Sequence, residues 1–454
     1  MPPTPRKPTR ATAPKPKAAT TRSKPAADTA KPKASTGRAP AKRATTRTAS
    51  TTADVPAFRA NEGTLREVIE QLAPLERRAG SPGEQQAAEW IAERLRQAGC
   101  EDAHVETAEF RDGYAKLHAG MHTVGTAAGV LALTKRGRRL GAALGAVVFG
   151  AVADDISNGP RVVRKATTPL STTWNVVATA GDPTADRTFV VLAHHDAAPT
   201  GKIFDQSFQR AVINRFHGIA ARLDTGPPPW LPSLAGPLFV AFGAAKRKRR
   251  LTAAGLALSA GSVAALRDVA SSPVVPGASD NLSAVASLVV LAERLKAEPL
   301  EGVRVLLVSC GAEEVLQGGI YGFGERWFPQ LPRDRTWFLN LETLGGLHLG
   351  MVEGEGPVIM EDYIDRTFRE LVARAADRAD IPLMRGLRSR ASTDSIIPNR
   401  AGYAIATLVS TDRDKLLEHY HLPEDRPENI RYDTVGRAVV VTEAVARALA
   451  DAPV

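Results

Sequence analysis

Ser309-Cys310-Gly311-Ala312-Glu313-Glu314 follows a largely apolar run, Val303 to Val308. The run predicts a buried strand closed by a glycine. Two adjacent carboxylates at the end of such a strand are costly to bury unless a cation meets them. Neighbouring side chains leave a strand end in different directions, so one can bind a metal while the other handles a proton. Taken alone, the pair reads as two solvated glutamates opening a helix. The rest of the chain changes that reading.

Working outward, further apolar runs predict strands at Val105–Phe110, Trp174–Ala178, Thr188–Ala193, Trp337–Leu341 and Ala404–Ser410. Thr64 to Gly99 predicts two helices broken at Gly80-Ser81-Pro82-Gly83, with Thr64 and Glu67 spaced as a capping box. Asp280 to Ala297 predicts a helix with Asp280 or Asn281 as its N-cap, and Glu361 to Ala379 another. Strands alternating with helices give an α/β fold with a mixed, largely parallel sheet.

Polar groups fall just beyond these strands. His194-His195-Asp196 follows the Thr188 strand, Glu313 and Glu314 the Val303 strand, and Glu342 the Trp337 strand. Tyr420-His421 lies in the loop beyond the Ala404 strand, and Asp280 stands at a helix start. The carboxyl ends of strands form the ligand crevice of open α/β sheets. Two imidazoles with carboxylates from separate strands make an N/O site suited to zinc.

These motifs resemble the two-zinc exopeptidases, the family of bacterial zinc aminopeptidases and glutamate carboxypeptidases. The carriers are His194-His195-Asp196, Asp280-Asn281-Leu282-Ser283, Glu313-Glu314, Asn340-Leu341-Glu342 and Tyr420-His421-Leu422-Pro423-Glu424-Asp425, in the family's order. The resemblance implies two Zn2+ per chain: Asp280 bridging, His194 and Glu342 completing one position, Glu314 and His421 the other. It implies that Asp196 orients His194, that Glu313 is the general base, and that Tyr420 donates to the developing oxyanion. His195 is read as packing or as support for a neighbouring ligand. The activity implied is peptide hydrolysis, with aminopeptidase polarity expected as the commoner one in the family. A metal-binding scaffold that kept the fold is the competing reading.

The chain departs from the family in three places. Glu342 replaces an aspartate, Ala284 stands where glycine is common, and 83 residues separate Asp196 from Asp280 where a short loop is usual.

Charge is unevenly spread. The 454 residues carry a net +10, but residues 1–54 hold 13 Lys/Arg against Asp28 and Asp54, leaving the remainder near neutral. Residues 1–56 are expected to be a disordered Lys/Arg/Pro/Ala/Thr-rich tail, either solvated or attracting a polyanion such as nucleic acid or an anionic membrane surface. No apolar core follows its charges, so a secretory signal is not expected, and two cysteines exclude a disulfide framework. A cytoplasmic location, with or without peripheral membrane attachment, is the expectation.

Residues 57–454 are read as one exopeptidase-like domain with insertions at about 115–156 and 200–275. Uncharged runs Leu117–Thr134 and Leu140–Ala153 flank Lys135-Arg136-Gly137-Arg138-Arg139, and runs Leu234–Ala245 and Leu251–Leu266 flank Lys246-Arg247-Lys248-Arg249-Arg250. Both predict helical hairpins with basic tips. Most runs fall short of the roughly 20 residues of a membrane span. Spanning would also put the basic tail and basic tips on opposite faces. A packed helical subdomain is expected, with membrane-interface or oligomer contact as the other use of the hairpins.

Overall fold

The computed structural model describes residues 61–216 and 230–451. The expectation of a disordered tail, and part of the second insertion, lie outside the described residues.

In chain order, helices α1 (Glu62–Leu72) and α2 (Pro82–Gln97) lead to β1 (His104–Phe110). The first insertion holds α3 (Tyr114–Ala132), α4 (Arg138–Ile156) and the short α5 (Val162–Thr167), followed by β2 (Ser171–Gly181) and β3 (Thr188–His194). The second holds α6 (Ser207–Arg215), α7 (Leu231–Ala245) and α8 (Arg249–Ser271). Then come α9 (Ser283–Ala297), β4 (Arg304–Cys310), α10 (Gly318–Trp327), β5 (Thr336–Glu342), β6 (His348–Glu355) and β7 (Glu361–Asp362). The chain closes with α11 (Arg366–Arg378), β8 (Met384–Ser389), α12 (Ile396–Arg400), β9 (Ala404–Thr411) and α13 (Tyr432–Ala450).

The strands form one sheet in the order β1-β2-β4-β3-β5-β9-β6-β7, with β8 beside β6. The central four, β4, β3, β5 and β9, run parallel, and antiparallel pairs flank them. Both faces are covered, which explains the near-continuous apolar runs. Val305 and Leu307 of β4 face α1, α2, α9 and α13, while Leu306 and Val308 face the aromatic layer of Phe323, Phe338 and Tyr403. The mixed, mostly parallel fold expected from the sequence is the fold observed.

Three local expectations need correction. Thr64 does not cap α1: Asn61 holds that position, and the Thr64 hydroxyl instead donates to Glu293 3.1 Å away. The capping-box geometry belongs to α2, where Ser81 accepts from the Glu84 amide and Glu84 returns to the Gly80 amide. The segment from Glu361 does not begin as a helix; Glu361–Asp362 pairs with β6, and α11 starts after its cap Asp365. Asp280 and Asn281 do not cap α9, since both have non-helical backbone in an irregular turn before it. The Asn281 amide instead bridges to the end of β5, donating to Leu341 O and accepting from the Thr343 amide. A propensity for capping names a side chain with spare hydrogen-bonding groups, and tertiary partners decide where those groups go.

Candidate metal centre

Parallel strands β3, β4 and β5 end at one edge, and register there delivers the site. His194 ends β3 opposite Cys310, the last residue of β4, so Glu313 and Glu314 emerge beside it. Glu342 ends β5. Asp280 comes from the turn before α9, and His421 from the loop after β9, where its backbone is left-handed (φ 55°).

These donors gather around Asp280. His194 Nε2 lies 3.3 Å from Asp280 Oδ1 and 3.4 Å from Glu342 Oε1. On the other carboxylate oxygen, His421 Nε2 lies 3.4 Å from Asp280 Oδ2 and 3.1 Å from Glu314 Oε2. His194 Nδ1, Asp280 Oδ2, Glu314 Oε1 and both His421 ring nitrogens are buried without a formed hydrogen bond among the described residues. Buried polar atoms are normally satisfied, so a cluster of bare ones calls for a ligand.

Electrostatics point the same way. Burial alone would keep His194 neutral, yet Glu342, Asp196 and Asp280 raise it well above the usual imidazole range. His421, also opposed by burial, is raised to about 10 by Glu314 and Asp280. Burial pushes Glu314 up to about 6 against the pull of His421, and it raises Glu313 well above the carboxylate range, with Asp394, Glu342 and Glu314 adding to it. The surplus of carboxylate takes up positive charge from protons, as a cation site does when only protons are offered. The donor set of imidazole and carboxylate fits zinc.

Backbone hydrogen bonds hold the donors. Glu313 and Glu314 sit in a short turn between left-handed Ala312 (φ 51°) and Leu316 (φ 69°). Asp196 accepts from the Glu313 and Glu314 amides, both at 3.0 Å, and stands 3.4 Å from His194 Nδ1. It therefore fixes the glutamate turn as well as neighbouring the imidazole it was expected to orient. Gly311 precedes this turn because a Cβ there would fall 2.4 Å from the Glu84 carboxylate and 2.3 Å from the Thr173 hydroxyl. Tyr420 stacks on His421 with ring centroids 3.8 Å apart and lines the cavity. His195 packs as read, with Nδ1 2.9 Å from the Ser309 hydroxyl.

Five residues that matter here carried no role in the sequence reading. Gln317 donates to Glu313 Oε1 and to Ser392 O, and receives a bond from Asn158 at the end of the first insertion. Asp425 accepts from the Ser279 and Asp280 amides. Arg77, fully buried, donates to His195 O, Leu72 O and Pro276 O, pinning the backbones on both sides of the site. Asp394 is buried next to the cluster, and burial raises it to about 8. Glu84 holds the Ala312 amide. Glu84 and Asp425 left local traces, the Ser81-x-x-Glu84 spacing and the motif that starts at Tyr420; the other three left none.

A cavity of about 240 Å³ opens over the cluster, lined by Asp280, Glu313, Glu314, Glu342, Tyr420 and His421. Its far wall is the Arg388–Thr393 loop, and Gln206 and Gln209 of the second insertion reach it. Phe204, from the same insertion, packs edge-on against His421 with centroids 4.5 Å apart. The insertion thus forms part of the site.

A parallel-centred sheet with imidazole and carboxylate donors at its strand ends defines a zinc-peptidase type of domain. Residues 263–446, which carry Asp280, Glu313, Glu314, Glu342 and His421, match the model of peptidase family M28; His194 and Asp196 lie upstream of the match. Among solved structures, the chain is similar to glutaminyl cyclase of Bacteroides thetaiotaomicron bound to N-acetylhistamine, at 12% identity over 86% of this chain and 98% of that one, with a TM-score of 0.50. Legionella pneumophila LapA gives 12% identity, 87% and 76% coverage and a TM-score of 0.50. A zinc aminopeptidase from Bacillus subtilis gives 14%, 86% and 94%, and 0.48. At such identities the likeness is one of fold. No curated protein sequence matches the chain.

Proposed function

We propose that the chain is a zinc-dependent exopeptidase that removes residues from the amino end of peptides. The observation that carries this is Asp280 presenting one oxygen to each of two imidazoles, His194 at 3.3 Å and His421 at 3.4 Å, with Glu313 on the cavity wall beside them. His194, Glu342 and Asp280 would hold one zinc, and Asp280, Glu314 and His421 a second. Bound zinc supplies Lewis acidity to the scissile carbonyl and acidifies water.

The chain's own groups do the rest. Glu313 Oε2 accepts the proton of the attacking water and returns it to the departing amine. Gln317, donating to Glu313 Oε1, leaves the other oxygen free for that transfer. Tyr420, half-buried and stacked on His421, would donate its hydroxyl proton to the developing oxyanion. Amino-end polarity is carried by the family resemblance; Arg388, Arg390 and Lys415 also line the cavity, and peptide digestion decides between a free α-ammonium and a free carboxylate.

Digestion of matched short peptides tests this. Free-amine, C-amidated peptides should be trimmed from the amino end, N-acetylated ones should resist, and a chelator should stop turnover. Glu313→Gln should lose at least about 10³-fold in kcat while keeping its zinc. Full activity of Glu313→Gln overturns the mechanism, and preference for N-acetylated peptides overturns the polarity.

A further inference from the structure

Independently of the reaction, we propose that the two inserted hairpins form a membrane-spanning anchor. The peptidase domain stands on one side of an anionic bilayer and the two basic tips lie in the headgroups of the other.

Helices α3, α4, α7 and α8 pack as a four-helix bundle through small residues. A Cβ on Gly255 would fall 2.6 Å from Gly236 O, and one on Gly141 2.4 Å from Ala128 O. Such close backbone approach is the packing mode of helices in lipid, where burying apolar surface gives no advantage between helices. Both tips sit at the same end, since Arg138 of the first donates to Ala244 O at the second, 2.8 Å away.

The polarity of the bundle is reversed relative to a water-soluble one. Its outward positions on α4 are Leu140, Ala143, Ala146, Val147 and Gly150; on α7, Leu231, Leu238 and Phe242; on α8, alanines and Gly261 up to Ala264. No charged residue lies on any of the four helices between the tips and the base. Most hydroxyls and both imidazoles are inside: Thr252, Ser259, Ser262, His118 and His122 are buried, while Thr123 of α3 is exposed and turns its hydroxyl back to Ala119 O. A helix in water puts its polar face outward. The most apolar stretch of α8 is only 28% buried, whereas a core helix of a soluble protein would be mostly covered.

Length and ends agree. The uncharged runs on α3, α4, α7 and α8 are 16, 14, 15 and 16 residues, or about 21–24 Å of helix. A hydrocarbon core is about 30 Å, and flanking Lys and Arg stems make up such a shortfall. Nine of the ten tip residues are Lys or Arg. At the base, Tyr114 and Trp230 lie edge to face, centroids 6.3 Å apart, where an interfacial aromatic pair belongs. The topological objection from the basic tail falls away, because the orientation rule counts charges within about 15–20 residues of a span. The tail's last basic residue, Arg47, stands 67 residues before Tyr114. A second copy of the chain is a poorer occupant, since it would cover one side of a bundle that is apolar all round.

Full-length protein and vesicles of phosphatidylcholine with phosphatidylglycerol decide the matter. The protein should float with the vesicles and stay through alkaline carbonate and high-salt washes. The triple variant Val147→Glu, Leu238→Glu, Ala257→Glu, altered only on the outside of the bundle, should float at least about ten-fold less while keeping its peptidase turnover. Lys135→Cys, in vesicles with the peptidase domain outside, should react with an impermeant maleimide only after lysis. Release by salt, labelling in sealed vesicles, or a detergent-free monodisperse monomer or dimer overturns the proposal.

Discussion

Asp196 shows how one side chain serves several others. Its two oxygens accept the amides of Glu313 and Glu314, so it sets the direction of both carboxylates. Asp196→Ala should lower zinc affinity by about 10–100-fold, as loss of a supporting partner commonly does; competition with a chromophoric chelator measures this, and unchanged affinity refutes it. Gln317 acts on Glu313 more narrowly. Gln317→Leu removes a hydrogen bond to a charged group worth about 1.5–3 kcal/mol, and should cut kcat by about ten-fold or more with KM little changed. An equal loss in zinc content would show that Gln317 supports the metal ligands instead.

At the scale of elements, parallel strands with in-register ends do most of the positioning, and buried clamps between loops do the rest. Arg77 joins the segment after α1 to His195 and Pro276 with its guanidinium fully enclosed. Burial holds its pKa down to about 10, so it remains charged at neutral pH. Arg77→Met would strand three buried carbonyls, and a loss on the order of 3–5 kcal/mol is expected. Thermal unfolding of the variant against the parent checks it; a shift of under a degree would be incompatible with the clamp. The same scale explains the misplaced cap. Thr64-x-x-Glu67 has the right spacing, but Glu293 on α9 offers Thr64 a better partner, and Asn61 takes the helix start.

For the whole molecule, the site couples metal to protons. Without metal, His421 is raised to about 10 and His194 well above its usual range, so both carry a proton at neutral pH. Zinc must displace those protons, and raising the pH removes the competitor. Apparent zinc affinity should therefore rise by about ten-fold or more per pH unit between pH 6 and 8. Chelator competition at several pH values reads the slope, and a flat response would mean that the imidazoles are not ligands.

The sheet was legible in the sequence alone, together with the candidate donors at its strand ends. Each of His194, Glu313, Glu314 and Glu342 stands at or just past an apolar run, so strand periodicity alone located it. The basic tips and the uncharged runs were equally legible. Only the tertiary structure decided which groups support them. Asp394, Gln317 and Arg77 lie in no pattern, because their roles exist only where distant backbones meet. It also decided the outer face of the hairpins: composition says that a helix is apolar, but which residues face outward depends on what packs inside. Glu313 and Glu314 show both halves. Their place was written in the strand before them, and their proposed division into base and ligand came from the family resemblance; the fold adds the partners Asp196, Gln317 and His421 around them.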